Sequence, residues 1–374
     1  MNTPERVTRR WHAGGQGLEV PYLPRLEIQR HPRCIVLANG RGEADLPPGD
    51  SMALIWGVET KVGIIGVGAV GTACAMALLQ RGTAREIVLV NRDKRRAMAV
   101  ATDMRYGVPA LSTLDIHEGS YTDLAGADLV MITAGVNEKG GGATDKNDPE
   151  GRLRLLDANA SVYREIVPEI VRTAPDSVIM VVTDPPDPLA DLTRQLAGHD
   201  RVFSAGTVID AFRFRTHIAK RLGVNTHSVY AIVIGEHGTS EFLLWSSVRV
   251  GKLSFDEACA QAGESADLVR HGIEDDLRYA NITIIEGNNA SQYGIGNVGA
   301  RLAQEVLGDE QVVLPVADYH DDYGLTLSLP SVLGRAGVSH SFVPEMSENE
   351  AAEFQHCIQQ LKIAFPRIAV SNKN

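Results

Sequence analysis

Basic residues are in the minority in this chain, and cysteine is scarce. Thirty-six Lys and Arg face 47 Asp and Glu, a net charge of −11. No basic stripe dominates, so nucleic acid is not expected as a partner. Four cysteines, Cys34, Cys74, Cys259 and Cys357, lie far apart in 374 residues. That spacing gives neither a disulfide framework nor a metal cluster and fits a reducing compartment. The 11 histidines include no H-E-x-x-H pair and no Cys/His pair at ligand spacing, so no metal is expected. The first twelve residues, MNTPERVTRRWH, lack an apolar signal core, and the expected location is cytoplasmic. One uncharged run, residues 62–79, has the length of a membrane span. Its four glycines fit a strand, a turn and a helix far better, so no membrane partner is expected. Internal repeats are absent.

What the chain does have begins in that same run. Residues 61–71 read KVGIIGVGAVG: a short buried strand, then Gly66, Gly68 and Gly71 in the order G-x-G-x-x-G, then a helix of small residues over 72–80. The first glycine permits a tight turn, the second lets backbone approach a pyrophosphate, and the third lets helix and strand pack closely. A second strand at 86–90 completes the unit. Three glycines in that order are a weak signal alone; the flanking strands and helix make them a dinucleotide site.

A second constellation lies downstream. Residues 229–241, VYAIVIGEHGTSE, run from an apolar β-rich segment into a turn that leaves His237 at the mouth of a strand. Upstream, Asp210 offers a carboxylate to orient that histidine, and Arg213 can hold a substrate carboxylate by two hydrogen bonds. A histidine titrating near neutrality, an aspartate behind it and a forked guanidinium are what proton transfer on a 2-hydroxy acid requires.

Between the two sites the chain alternates as α/β proteins do. Strands read at 87–90, 129–133 and 177–182, with helices at 95–104 and 153–172. Such alternation predicts a Rossmann-type, doubly wound parallel sheet covered on both faces. After residue 206 the pattern changes to a mixed α+β substrate domain: a helix at 208–222, a strand at 228–234, an antiparallel portion, long helices at 254–286 and 297–307, and an amphipathic closing helix at 347–365. The expected division is an N-terminal extension at 1–59, a dinucleotide-binding domain at 60–206 containing an active-site loop at 137–151, and a substrate domain at 207–370. The extension carries two short apolar runs, 34–38 and 52–56, and reads equally as a small β appendage or a partly ordered arm.

From about residue 61 to 368 the chain resembles the L-lactate/L-malate dehydrogenase family, on the lactate side. The matching segments are GVGAVG, DLVMITAG (128–135), RLRLLDAN (152–159), SAGTVIDAFRFR (204–215), IGEHG (234–238) and LPSVLGRAG (329–337). The resemblance implies an NAD(P)-dependent oxidoreductase acting on an L-2-hydroxy acid. It implies that His237 is the general acid or base, that Asp210 holds its tautomer, that Arg213 grips the substrate carboxylate, and that Arg152, on a mobile loop, polarises the carbonyl. Thr133, Ala134 and Gly135 would line the dinucleotide, and Ser291 would stand beside the substrate side chain. A homodimer or homotetramer is implied by the same analogy.

Four departures from the family pattern qualify that expectation. Asn91 stands where an aspartate normally meets the ribose hydroxyls and repels a 2′-phosphate, and Arg92 follows it, which leans towards dual or NADP use over NAD alone. The loop at 137–151, NEKGGGATDKNDPEG, is longer than the family's; closure costs only roughly 0.6 kcal/mol per doubling of length. Glu138 occupies the position that reads the substrate side chain and would repel a second carboxylate, unless the register slips and Lys139 or Lys146 faces the substrate instead. Asp184 replaces an asparagine and only accepts hydrogen bonds when ionised, which points to a hydroxyl- or amine-bearing substrate. Two other readings stand beside the lactate-type enzyme: a malate-type enzyme using the loop lysines, and a dinucleotide-binding sensor without turnover.

Overall fold

The computed structural model describes residues 26–31, 34–39, 60–110, 115–142, 151–238, 240–278 and 280–369. The chain divides into two compact units, Met1–Glu59 and Thr60–Asn374. In the first, β1 (Leu26–His31) and β2 (Cys34–Asn39) pair antiparallel with Leu26 opposite Asn39. The second apolar run expected there, 52–56, lies outside the described residues.

The second unit opens with β3 (Lys61–Ile65), α1 (Ala69–Arg81), β4 (Glu86–Val90), α2 (Lys94–Gly107), β5 (Asp115–Gly119) and β6 (Leu129–Ile132). A short α3 (Glu138–Gly141), α4 (Leu156–Thr173), β7 (Val178–Val181), α5 (Pro186–Ala197), β8 (Val202–Ser204) and α6 (Val208–Leu222) follow. Strands β6 and β7 are buried at every residue and β3 at all but its first. That explains their unbroken apolar runs: a strand covered on both faces has no solvent side to alternate towards. Helix α5 starts with Pro186 at a position whose N–H has no partner inside the helix, so proline costs nothing there.

The rest of the unit is mixed. Two-residue strands β9 (Val229–Tyr230), β10 (Val233–Ile234), β11 (Phe242–Leu243), β12 (Arg249–Val250) and β13 (Leu253–Ser254) precede α7 (Phe255–Ala262), α8 (Ala266–Arg278), α9 (Ala280–Asn288) and α10 (Tyr293–Gly308). Strands β14 (Val312–Leu314), β15 (Ala317–His320), β16 (Leu325–Ser328), β17 (Ser331–Gly334) and β18 (Gly337–Ser341) lead to α11 (Glu348–Ala364), whose first turn is closed by a Ser347/Glu350 capping box.

The main sheet has eight strands in the order β16-β15-β8-β7-β6-β3-β4-β5. The six from β8 to β5 are parallel; β15 and β16 add antiparallel at the β8 edge. Strand β4 lies on one side of β3 and β6 on the other, so the order reverses there. Crevices at such switch points, beyond the carboxyl ends of the strands, are where α/β sheets bind ligands. One face is packed by α1 and α10 through Cys74, Leu78, Val298 and Leu302, the other by α4 and α5 through Tyr163, Val167 and Leu189.

Two expected elements are broken. The strand read at 228–234 is two pieces: β9 pairs with β12, whereas β10 pairs with β11, so Ala231 and Ile232 turn the chain from one small sheet to the other. The helix read at 254–286 stops at Ala262, where Gly263 takes a left-handed φ of +74° and caps α7. Among the described residues no helix is long and apolar enough to cross a membrane.

Candidate active site

The glycine turn that joins β3 to α1 is built on contacts no side chain survives. Gly66 has φ +100°, and a Cβ on it would lie 2.5 Å from Ala134 N. A Cβ on Gly71 would lie 1.9 Å from Gly66 O, which already accepts the Thr133 hydroxyl at 2.6 Å. Gly68 differs: nothing lies within 4 Å of its Cβ position. It faces an open cleft, caps α1, and offers no side-chain hydrogen bond to the helix. The first backbone N–H groups of α1 therefore point outward at a place where backbone can be approached closely, which suits an anionic pyrophosphate. The residues present fit a dinucleotide.

At the end of β4, Asn91 Oδ1 accepts the Val67 N–H at 2.9 Å and its Nδ2 donates to Asp93 O at 3.0 Å. Arg96, on α2, donates from Nε to Val67 O. Asn91 and Arg96 thus brace the glycine turn from the side, and Arg92 is exposed.

The cleft continues past the ends of β6 and β7 to α6, α9 and the start of α10. Gly68, Thr133, Gly135, Asp184, Arg213, His237 and Ser291 all line it; Ala134 instead packs behind Gly66. Asp210 and Arg213 sit one turn apart on α6, so their side chains leave the same face. Asp210 is buried and divides its carboxylate: Oδ2 lies 2.5 Å from His237 Nδ1 and Oδ1 accepts Arg213 Nη1 at 2.9 Å. Arg213 Nη2 reaches Ser291 Oγ at 3.5 Å. On the other ring nitrogen, His237 Nε2 lies 3.6 Å from Asp184 Oδ1. Carboxylates on both edges of an imidazole stabilise its cationic form. Glu241 brings a third carboxylate, and its ligand atom with those of Asp210 and His237 lies within 4.8 Å. The Asp210 hydrogen bond, however, takes the Nδ1 that a metal would need. The side chains of Glu138 and Arg152, and residues 143–150 with Lys146, lie outside the described residues. Lys139 Nζ bonds Asn289 Oδ1 at 2.7 Å on the rim, outside the cleft lining.

Three residues of this region were not singled out from sequence. Asn159, buried on α4, accepts the Val136 N–H at 2.6 Å and donates to Asp184 O at 2.6 Å, tying the ends of β6 and β7 together. Asp187, fully buried on α5, accepts the His237 N–H at 2.7 Å and the Ser204 hydroxyl at 2.6 Å. Cys357 accepts the neighbouring Glu236 N–H at 2.8 Å. Asp187 follows the substituted Asp184 by only three positions, a signal available in TDPPDP; the other two act across the fold and leave no local mark.

Burial pushes Asp187, and Asp191 one turn further along α5, up to about 6. Asp191 Oδ2 accepts the Thr326 N–H at 3.3 Å, and its Oδ1 has no hydrogen-bond partner among the described residues. A carboxyl raised on folding contributes stability that is present below its ordinary value of 3.8 and lost as pH rises through about 6. Replacing Asp191→Asn is therefore expected to flatten the fall in thermal midpoint between about pH 4 and 6.5, measured by calorimetry. An unchanged slope contradicts this account of Asp191.

Residues 60–204 match the family model described as lactate/malate dehydrogenase, NAD binding domain, and residues 207–368 match its alpha/beta C-terminal domain. An L-lactate dehydrogenase of Deinococcus radiodurans is 41% identical over 296 residues, 79% of this chain and 95% of that protein. One from Thermus aquaticus is 40% identical over 312 residues, covering 81% and 97%. The crystal structure of minor L-lactate dehydrogenase from Enterococcus mundtii, in a ligands-bound form, superposes with a TM-score of 0.77 at 32% identity, covering 84% of this chain and 99% of that one.

Proposed function

This chain belongs to the lactate/malate dehydrogenase family, and from that premise we propose that it interconverts a 2-oxo acid and its L-2-hydroxy acid, pyruvate and L-lactate in the first instance. The observation that carries the reading is His237, held at 2.5 Å by Asp210 in the cleft that also holds Arg213 and the open side of Gly68. Within it, residues 60–206 serve the dinucleotide and 207–370 the substrate.

When bound, the nicotinamide dinucleotide supplies or accepts the hydride. The chain's own residues handle the rest. Gly66, Gly68 and Gly71 admit the pyrophosphate to the start of α1. Arg213 grips the substrate carboxylate, and Ser291 stands beside the substrate side chain. His237 Nε2 gives a proton to the oxo oxygen during reduction and takes it from the hydroxyl during oxidation. Asp210, on Nδ1, fixes the tautomer that makes this exchange productive and stabilises the imidazolium. Arg152 is assigned the polarising role on loop closure. Asp184 beside Nε2 favours the proton-loaded histidine, the form reduction needs. Glu138 is assigned to the substrate side chain.

The family assignment supports NAD. We extend it to NADP as well, because β4 is followed by a neutral Asn91 engaged with Val67 and Asp93 and then by an exposed arginine, so no carboxylate at that position repels a 2′-phosphate. Asn91→Asp is expected to raise the NADH-over-NADPH ratio of kcat/KM by about tenfold or more, since two charges near 4 Å interact by roughly 4 kcal/mol at an effective dielectric of 20. A ratio unmoved by the substitution removes Asn91 from cofactor choice.

The reading is tested by oxidation of NADH and NADPH with a panel of 2-oxo acids: pyruvate, oxaloacetate, and branched, hydroxylated and amino-bearing members. Turnover fastest with oxaloacetate would overturn the lactate-type assignment, and no turnover with any would overturn the enzyme reading. Light scattering on the same sample tests the symmetric homodimer or homotetramer that the proposal includes.

A further inference from the structure

The segment that delivers His237 is held by three backbone donors, each with its own buried acceptor. Gly235 N–H donates to Ser328 O of β16 at 2.9 Å. Glu236 N–H donates to Cys357 Sγ of α11 at 2.8 Å. His237 N–H donates to Asp187 Oδ2 of α5 at 2.7 Å. Three elements distant in sequence thus converge on three consecutive residues. Of the three acceptors, the thiol is the unexpected one, because sulfur is a weak acceptor and any small apolar residue would fill the same space.

Cys357 is fully buried on the face of α11 that also buries Phe354, Ile358 and Leu361. Its sulfur presses against the turn: a Cβ added to Gly235, which has φ +90°, would lie 2.5 Å from it. Ser240 Oγ lies 3.4 Å from the same sulfur and also donates to the buried Glu236 carboxylate. The thiol therefore touches this segment at Glu236 and again at Ser240. Burial pushes its ionisation up to about 12, with the Glu236 and Asp187 carboxylates adding to the effect, so the sulfur is a neutral acceptor and not a nucleophile.

We propose that Cys357 is a positioning residue for the reaction: through the Glu236 N–H it sets the height at which His237 meets the substrate. This rests on the reading of His237 as the proton-transferring group. It also assigns α11, which contributes nothing to the cleft lining, a part in catalysis.

The test uses Cys357→Val, which keeps bulk without an acceptor, Cys357→Ala, which cannot overpack, and Cys357→Ser, which restores an acceptor. With full-length protein, Val and Ala variants are expected to lose about tenfold in kcat with KM and NADH affinity within about twofold, a cost typical of small misplacements. Serine is expected to recover most of the loss. Hydrogen–deuterium exchange of the peptide 234–238 gives a readout independent of turnover: protection falls in Val and Ala and returns in Ser. Wild-type kcat in the Val and Ala variants overturns the proposal, as does a serine variant as impaired as alanine. If the wild-type protein turns over no 2-oxo acid, the functional reading fails, and the exchange data alone decide whether Cys357 holds the loop.

Discussion

Replacing His237→Asn is expected to reduce pyruvate reduction by about 10³- to 10⁴-fold in kcat, the upper range for loss of a general acid or base. Asparagine can occupy the space and bond Asp210, but no proton can be exchanged from it at neutral pH. The cofactor site should survive, because Gly66, Gly68 and Gly71 form the turn from β3 into α1, and Thr133, just after β6, bonds Gly66 O. NADH affinity, followed by fluorescence, is therefore expected to stay within about threefold, about 0.6 kcal/mol. Stability is expected to fall modestly, since Asp210 is buried and loses a charge-assisted partner, at about 1–3 kcal/mol. A variant that keeps measurable turnover with unchanged pH dependence would show that another group supplies the proton, Asp184 being the nearest candidate at 3.6 Å from Nε2.

The parts legible in sequence share a physical cause: each is decided within a few residues. The turn at Gly66, Gly68 and Gly71 is dictated by backbone clearance, and α6 runs over Val208–Leu222 as its apolar spacing and the glycine after it require. Asp210 and Arg213 are one turn apart on that helix, so their meeting follows from helical geometry alone. What was not legible depends on partners far away. The run from 228 to 234 has the composition of one strand, yet β9 and β10 pair with different partners, and no local pattern records where a strand changes sheets. Strand β5 has a single buried residue, Ile116, too little to print an apolar rhythm. Helix α5 begins PDP, and its missing N–H groups fall where a helix does not need them. In the site, Asp187, Asn159 and Cys357 act on backbone atoms of residues 50, 23 and 121 positions away. Such roles are assigned by the folded chain.

Arg213→Lys is the second substitution with a large expected effect. In the fold Arg213 uses one guanidinium nitrogen on Asp210 at 2.9 Å and turns the other towards Ser291 at 3.5 Å, at the cleft wall. A fork of this kind can hold the helix-borne aspartate and still present two parallel donors to a carboxylate, which a lysine ammonium cannot do. Lysine is the informative replacement because it keeps a cation beside Asp210, so the Asp210–His237 pair is not left with an altered charge. The expected result is a fall of about 100-fold in kcat/KM for pyruvate, roughly 3 kcal/mol for charge-assisted hydrogen bonds lost in the transition state. Most of it should appear in KM, since the carboxylate is held alike in ground and transition states. If kcat/KM stays within about threefold, the carboxylate is bound elsewhere in the cleft, and Arg213 serves Asp210 rather than the substrate. A loss confined to kcat, with KM intact, leads to the same conclusion by another route: disturbing Asp210 reaches the substrate only through His237, and the pH profile of kcat would then shift where the binding role leaves it still.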